Sequence, residues 1–282
     1  MKQQETTPPL TAGLVDVHAH YCDRRFESEY EGGADALLCR EVFGAGVAGV
    51  INAATNPENA QICLAQAARY SGMYVALGIH PEDCKSLSDD PAEELARLLP
   101  YMETADARRT HKVVAVGEIG LDYYWQPVEP EKQMRYFRAQ LELARRLELP
   151  VIIHDREAHG DCFETLLQYE GIRGVLHSFS GSPEMARELV RRGFYISFSG
   201  VLTFKNARKT VEAAAELPLD RILIETDAPY LSPEPFRGKL NHSGRCAYTA
   251  SRLASLRSIS EEELLSATRE NAERLFGVKF PL

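Results

Sequence analysis

Five of the eight histidines in this 282-residue chain recur at one kind of position. His18 and His20 close the apolar run "LVDVHAH", His80 closes "MYVALGIH", His154 lies in "PVIIHD" and His177 in "GVLHSFS". Glu118 in "KVVAVGEIG" and Asp227 in "RILIETD" hold the matching place in two further runs, whereas His111, His159 and His242 do not. Imidazole and carboxylate together suit Zn²⁺, Mn²⁺ or Fe²⁺ and tolerate Mg²⁺, so the residue types point to a divalent cation without naming it. A lone histidine at a strand end is usually a hydrogen-bonded structural residue, and a single His-x-His pair is a weak signal. The combination is different: histidines, a glutamate and an aspartate at the same end of the first, fourth, fifth, sixth and eighth runs point to one shared metal centre.

The elements that must position these residues are legible as periodicity. Eight apolar runs of strand length ("LVDVHAH", "VAGVINAA", "MYVALGIH", "KVVAVGEIG", "PVIIHD", "GVLHSFS", "FYISFSG", "RILIETD") alternate with amphipathic stretches such as "EKQMRYFRAQLELARRLE" and "SPEMARELVRRG". Short continuous apolar runs are expected of parallel strands covered on both faces. A doubly wound open sheet would use the same local pattern, but the count of eight favours a closed (β/α)8 TIM barrel, whose active site lies at the C-terminal ends of the strands. Residues i and i+2 of a strand share a face, so His18 and His20 point together into the barrel mouth. Helix starts are marked by Asn56 before Pro57, by Ser182 before Pro183 and by the pair Ser260 and Glu263, and Gly193 marks a helix end. We expect residues 1–12 to be a short N-terminal tail and residues 13–282 a single barrel domain. The Pro/Gly-rich stretches "YYWQPVEPEK" and "DAPYLSPEPFRGKLNHSGR" read as loops over one end of that barrel.

Composition narrows the function classes. With 44% hydrophobic and 26% charged residues the chain resembles a soluble globular enzyme, not a disordered or fibrous protein. The start "MKQQETTPPLTAG" lacks the apolar core of a signal peptide, and no run approaches the roughly 18 apolar residues of a membrane helix, so the expectation is cytoplasmic with no membrane partner. Six cysteines without a Cys-x-x-Cys pair read as reduced thiols, not a disulfide framework or zinc knuckle. A net charge of -9 argues against a broad electropositive surface for nucleic acid. It leaves room for a small site whose bound ions supply the positive charge.

The segments "VDVHAH", "GIHPE", "VGEIGLDYY", "LPVIIHDREA", "LHSFSG" and "IETDAPYL", with "YISFSGVLTFKN" and "NAERLFGV", follow one another in the order found in the TatD family. From Leu14 to about Phe276 the chain resembles these metal-dependent hydrolases of the amidohydrolase type. The resemblance implies a (β/α)8 barrel, activity as a deoxyribonuclease, often 3′ to 5′, and two divalent metal ions (Mg, Mn or Zn). It makes His18 and His20 ligands of one ion with Asp227, Glu118 a bridge, and His154 and His177 ligands of the other. Asp227 and Glu118 would then be catalytic, Asp227 also taking the proton of the attacking water. His80 and Arg156 would meet substrate phosphate, with a structural hydrogen bond for His80, and an ion pair of Arg156 to Asp122 or Glu225, as the plainer alternatives. Glu225 reads as a group supporting a ligand or a polar residue deeper in the barrel. Tyr123, Tyr124, Trp125 and Tyr230 either stack on bases or pack their loops.

Two segments depart from the family pattern: Glu82 stands where many members have a second histidine, and "KLNHSGRCAYTA" carries His242 and Ser243 in an altered final loop. DNA is the substrate partner that the resemblance implies, and these departures motivate the alternative, a small ester, lactone, amide or phosphoester. No stable protein partner is expected. A non-catalytic binding protein is disfavoured because all six ligand positions carry competent residues.

Overall fold

The computed structural model describes residues 10–125 and 128–281. Residues 1–9 of the expected tail, residues 126–127 of the loop after the fourth strand, and residue 282 lie outside the described residues. The eight runs form eight strands: β1 (Val15–Ala19), β2 (Gly49–Ala53), β3 (Met73–Leu77), β4 (Val113–Asp122), β5 (Val151–Arg156), β6 (Gly174–Leu176), β7 (Tyr195–Phe198) and β8 (Ile222–Ile224). They pair in parallel in sequence order, β1 to β8, with helices between them. The (β/α)8 TIM barrel expected from the count is thus the fold observed. Its last seam is closed by a parallel bridge between Ala19 and Ala228. There the His20 N–H donates to Ala228 O at 2.7 Å and the Asp227 N–H to His18 O at 2.9 Å. Three candidate ligands therefore hold the barrel shut with their backbones while their side chains face one another.

Local signals act as their chemistry requires. Asn56 Oδ1 accepts the Asn59 N–H at the start of helix Pro57–Arg69, Ser182 Oγ the Met185 N–H at helix Pro183–Arg191, and Ser260 Oγ the Glu263 N–H at helix Glu261–Phe276. β6 and β8 are shorter than their apolar runs, ending at Leu176 and Ile224. Past those ends His177, Glu225 and Asp227 keep backbone hydrogen bonds to the neighbouring strands, through Ile153 O, Phe198 O and His18 O, while their side chains turn to the site. Among the described residues no helix is long and apolar enough to cross a membrane.

The opposite end of the barrel is sealed by hydrocarbon. Strand residues Val15, Ile51, Ile152, Val175 and Leu223 form one buried cluster with Leu275, Phe276 and Phe280 from the end of the chain. Phe280 lies so close to the start of β2 that a Cβ on Gly49 would fall 2.1 Å from the ring. Only glycine fits at that contact.

Candidate metal centre

At the C-terminal end of the strands the side chains of His18, His20, Glu118, His154, His177 and Asp227 converge. His18 Nε2 and His20 Nε2 stand 3.0 Å apart. Glu118 Oε2 is 3.3 and 3.2 Å from these two nitrogens, and Asp227 Oδ1 is 3.5 and 3.4 Å from them. Four donors around one ion at 2.0–2.1 Å in tetrahedral array are about 3.3–3.4 Å apart, and the five separations above, 3.0–3.5 Å, bracket that value. The other oxygen, Glu118 Oε1, is 2.8 Å from His154 Nδ1 and 2.8 Å from His177 Nε2, and those nitrogens are 3.1 Å apart. Donors at right angles around an ion at the same bond length are about 2.8–3.0 Å apart, so this trio fits a second cation with open positions.

The remote ring nitrogens fix which lone pairs face inward. His20 Nδ1 donates to Ala53 O at 2.9 Å, His154 Nε2 to Asp122 Oδ2 at 3.0 Å and His177 Nδ1 to Glu225 Oε1 at 3.2 Å. A neutral imidazole has one N–H, so each donation leaves a bare lone pair aimed at Glu118 or Asp227. Lone pairs facing carboxylate oxygens in a buried pocket repel unless a proton or a cation lies between them. His18 Nδ1 is buried with no partner among the described residues, so this ring has no support on its far side.

The titration behaviour is the same conflict read in protons. For His154, burial opposes charge, but hydrogen bonds to Asp122 and Glu118 outweigh it and lift the pKa to about 9. His20 and His177 are also raised against burial, through Glu118 with Asp227 and with Glu225 respectively. Glu118 and Asp227 are held below the usual carboxylate range although burial pushes them up, because imidazoles surround both. Binding a divalent ion requires those imidazoles neutral, so a cation replaces protons at the same points.

A third grouping, His80 with Glu118 and His154, has donor atoms near enough for an ion. His80 Nδ1, however, accepts the Glu82 N–H at 3.2 Å, which leaves the proton on Nε2, 3.7 Å from Glu118 Oε1. That tautomer offers a donor, not a ligand, and burial lowers its pKa to about 3.

Support reaches this site from residues that sequence reading did not single out. On helix Pro130–Leu147, Gln133 accepts the Asp122 N–H (2.8 Å) and donates to Asp122 O (2.9 Å), and Gln140 does the same for Ile79 (2.7 and 3.0 Å). Two glutamine amides thus finish the strand ends that carry Asp122 and His80. Asp16, fully buried below His18, accepts from the Thr226 N–H (3.0 Å) and hydroxyl (2.6 Å) and so ties β1 to the turn bearing Asp227. Asp227 itself has φ 60°, a left-handed conformation that Asp tolerates better than most residues.

The plainer alternative for Arg156, an ion pair with Asp122 or Glu225, does not form: Asp122 is engaged by His154 and Glu225 by His177. The Arg156 guanidinium lies over the rings of Tyr124 (4.3 Å) and Trp125 (5.4 Å) instead. A cavity of about 600 Å³ opens over the metal centre, with Glu82, His80, Arg156, Trp125 and Tyr230 on its walls. Ser243 is buried and shares a hydrogen bond with Tyr21 Oη at 2.8 Å, so it braces β1, and neither it nor His242 lines the cavity.

A family model described as "TatD related DNase" matches residues 15–277. The metal-dependent hydrolase YabD of Bacillus subtilis is 37% identical over 268 residues, covering 94% of this chain and 99% of that protein. The metal-dependent hydrolase TatD of Mycobacterium tuberculosis is 35% identical over 276 residues, covering 94% of this chain and 98% of its own length. The crystal structure of YjjV, a TatD homologue from Escherichia coli K12, superposes with a TM-score of 0.84 at 36% identity, covering 95% of this chain and all of that one.

Proposed function

Because the chain belongs to the TatD family of metal-dependent hydrolases, we propose that it cleaves phosphodiester bonds in DNA from the 3′ end, using two divalent ions held through Glu118. The observation that carries this reading is the division of one carboxylate: Glu118 Oε2 faces His18 and His20, while Oε1 faces His154 and His177. Divalent ions bound in this way supply Lewis acidity toward a phosphoryl oxygen and lower the pKa of water.

The chain's own residues do the rest. Asp227, ionised because its carboxyl is held low, accepts the proton of the attacking water. His80 is neutral at pH 7 with its proton on Nε2, and donates to a phosphate oxygen. Arg156 has its face covered by two aromatic rings, and its N–H edges serve phosphate. Asp122, Glu225 and Ala53 O hold three imidazoles in the tautomers that direct lone pairs inward. A cytoplasmic location belongs to the same proposal.

Incubation with 5′-labelled single-stranded DNA and Mg²⁺ or Mn²⁺ is expected to give a ladder shortened from the 3′ end. No product from protein of verified metal content would overturn the reading. One observation favours a second reading, hydrolysis of a small ester, lactone, amide or phosphoester. Glu82 is a partly buried carboxylate on the cavity wall, with its pKa raised by burial and by Asp122, and it repels a polyanion. A substrate panel preferring a neutral ester over DNA would establish that alternative.

A further inference from the structure

Four large hydrophobic side chains are conspicuously exposed among the described residues: Ile62 (45%), Tyr124 (55%), Trp125 (58%) and Tyr230 (44%). Three of the four stand at the mouth of one cavity. Trp125 and Tyr230 line it, and Tyr124 meets Trp125 edge to face at 4.9 Å. Exposed aromatics that only packed a loop down would be covered by it; these present their area to solvent beside the metal centre.

The aromatic rim is also held in place. Asp122 Oδ1 accepts the backbone N–H groups of both Tyr124 (2.9 Å) and Trp125 (3.0 Å), while its Oδ2 holds His154. One carboxylate thus ties the rim to a candidate ligand. The Arg156 guanidinium lies over both rings. Across the mouth, the Tyr230 hydroxyl donates to Asp23 Oδ2 at 2.6 Å, and the Arg25 guanidinium stands 5.5 Å from its ring. Each rim therefore combines a fixed aromatic face with a cation, the pairing that accepts a flat π-system attached to a phosphate.

We propose that Trp125, backed by Tyr124 and Arg156, and Tyr230 form a stacking subsite for the nucleobases next to the cleaved phosphodiester. The proposal rests on the reading that DNA is the substrate and adds how it is gripped: by π-faces common to every base, which gives tolerance of sequence, with Arg156 between base and phosphate.

Trp125 is the single tryptophan of the chain, so its fluorescence reports the contact directly. The probes are a phosphorothioate-linked thymidine pentamer and an abasic pentamer of equal charge, titrated into the Mg²⁺-loaded protein. The thymidine pentamer is expected to quench Trp125 and to bind about tenfold tighter than the abasic one, as loss of a stacked base predicts. With binding read by the anisotropy of 5′-fluorescein-labelled pentamers, which needs no tryptophan, Trp125→Ala and Tyr230→Ala should each shrink that preference while leaving abasic binding and thermal unfolding unchanged, and Trp125→Phe should largely restore it. Equal binding of the two pentamers, or base preference unaltered in both alanine variants, overturns the subsite. DNA cleaved at a rate indifferent to the bases overturns it while sparing the nuclease reading. Base-dependent quenching without any cleavage upholds the subsite and removes the nuclease.

Discussion

The two ends of this barrel meet opposite demands with the same eight strands. At the end where the strands begin, Val15, Ile51, Val175 and Leu223 pack with Leu275, Phe276 and Phe280, and the chain terminus closes the core. At the end where they finish, His18, His20, His177 and Glu118 are buried, His154 and Asp227 are partly buried, and acceptor faces acceptor. Burial of apolar surface stabilises the first end, whereas desolvated polar groups destabilise the second until a cation sits among them. The asymmetry separates folding from chemistry, and substitutions at the two ends should fail in different assays.

The largest separation is expected from Glu118→Gln. Both donor groups lose their shared charge, so metal-dependent hydrolysis should fall on the order of 10³-fold, the scale of losing one charge-stabilising group. Circular dichroism should show the same fold, and hydrolysis within tenfold of the parent would contradict the bridging role. The mirror experiment is Phe280→Ala, in which a ring only 5% exposed leaves a cavity at the sealed end. It should cost about 3 kcal/mol, roughly a 5 °C fall in Tm for a chain of this length. Activity per folded molecule should not change; a loss of kcat as large as that of Glu118→Gln would break the comparison.

Asp122→Ala lies between these extremes, since it frees His154 Nε2 and the backbone N–H groups of Tyr124 and Trp125 together. Metal affinity at the His154 and His177 pair should weaken about 10- to 100-fold, the usual effect of losing a carboxylate behind a ligating histidine. Calorimetry should show metal affinity at the His18, His20 and Asp227 group little changed. The pH dependence is a gradual effect, a slope and not a step. The His154 pKa, raised to about 9, means a proton must leave before an ion binds, so affinity should increase as pH rises. The expected slope is up to about tenfold per unit between pH 7 and 9, flattening above. Affinity independent of pH over that interval would show that no proton is displaced.

Much of this was legible before the fold was known, for identifiable reasons. Strands covered on both faces must be apolar along their whole length, which made the eight runs visible, and ligands at strand ends interrupt that pattern with His, Glu and Asp. Other features left no trace. Gln133 and Gln140 are ordinary helix residues by type, and only the tertiary arrangement shows their amides finishing two strands. By charge alone Asp122 and Glu225 are natural partners for Arg156, the plainer alternative to a phosphate contact. The histidines take those carboxylates, and the guanidinium settles on aromatic faces. The short β6 and β8 could not be read from apolar runs that continue past the last ladder residue.

The central claim is that Glu118 divides its carboxylate between two cations. Anomalous diffraction from crystals equilibrated with Mn²⁺ tests it without recourse to activity. Two peaks are predicted on opposite oxygens of Glu118, one beside His18, His20 and Asp227 and the other beside His154 and His177, roughly 3.5–4 Å apart. A single peak, or peaks remote from Glu118, would contradict the account.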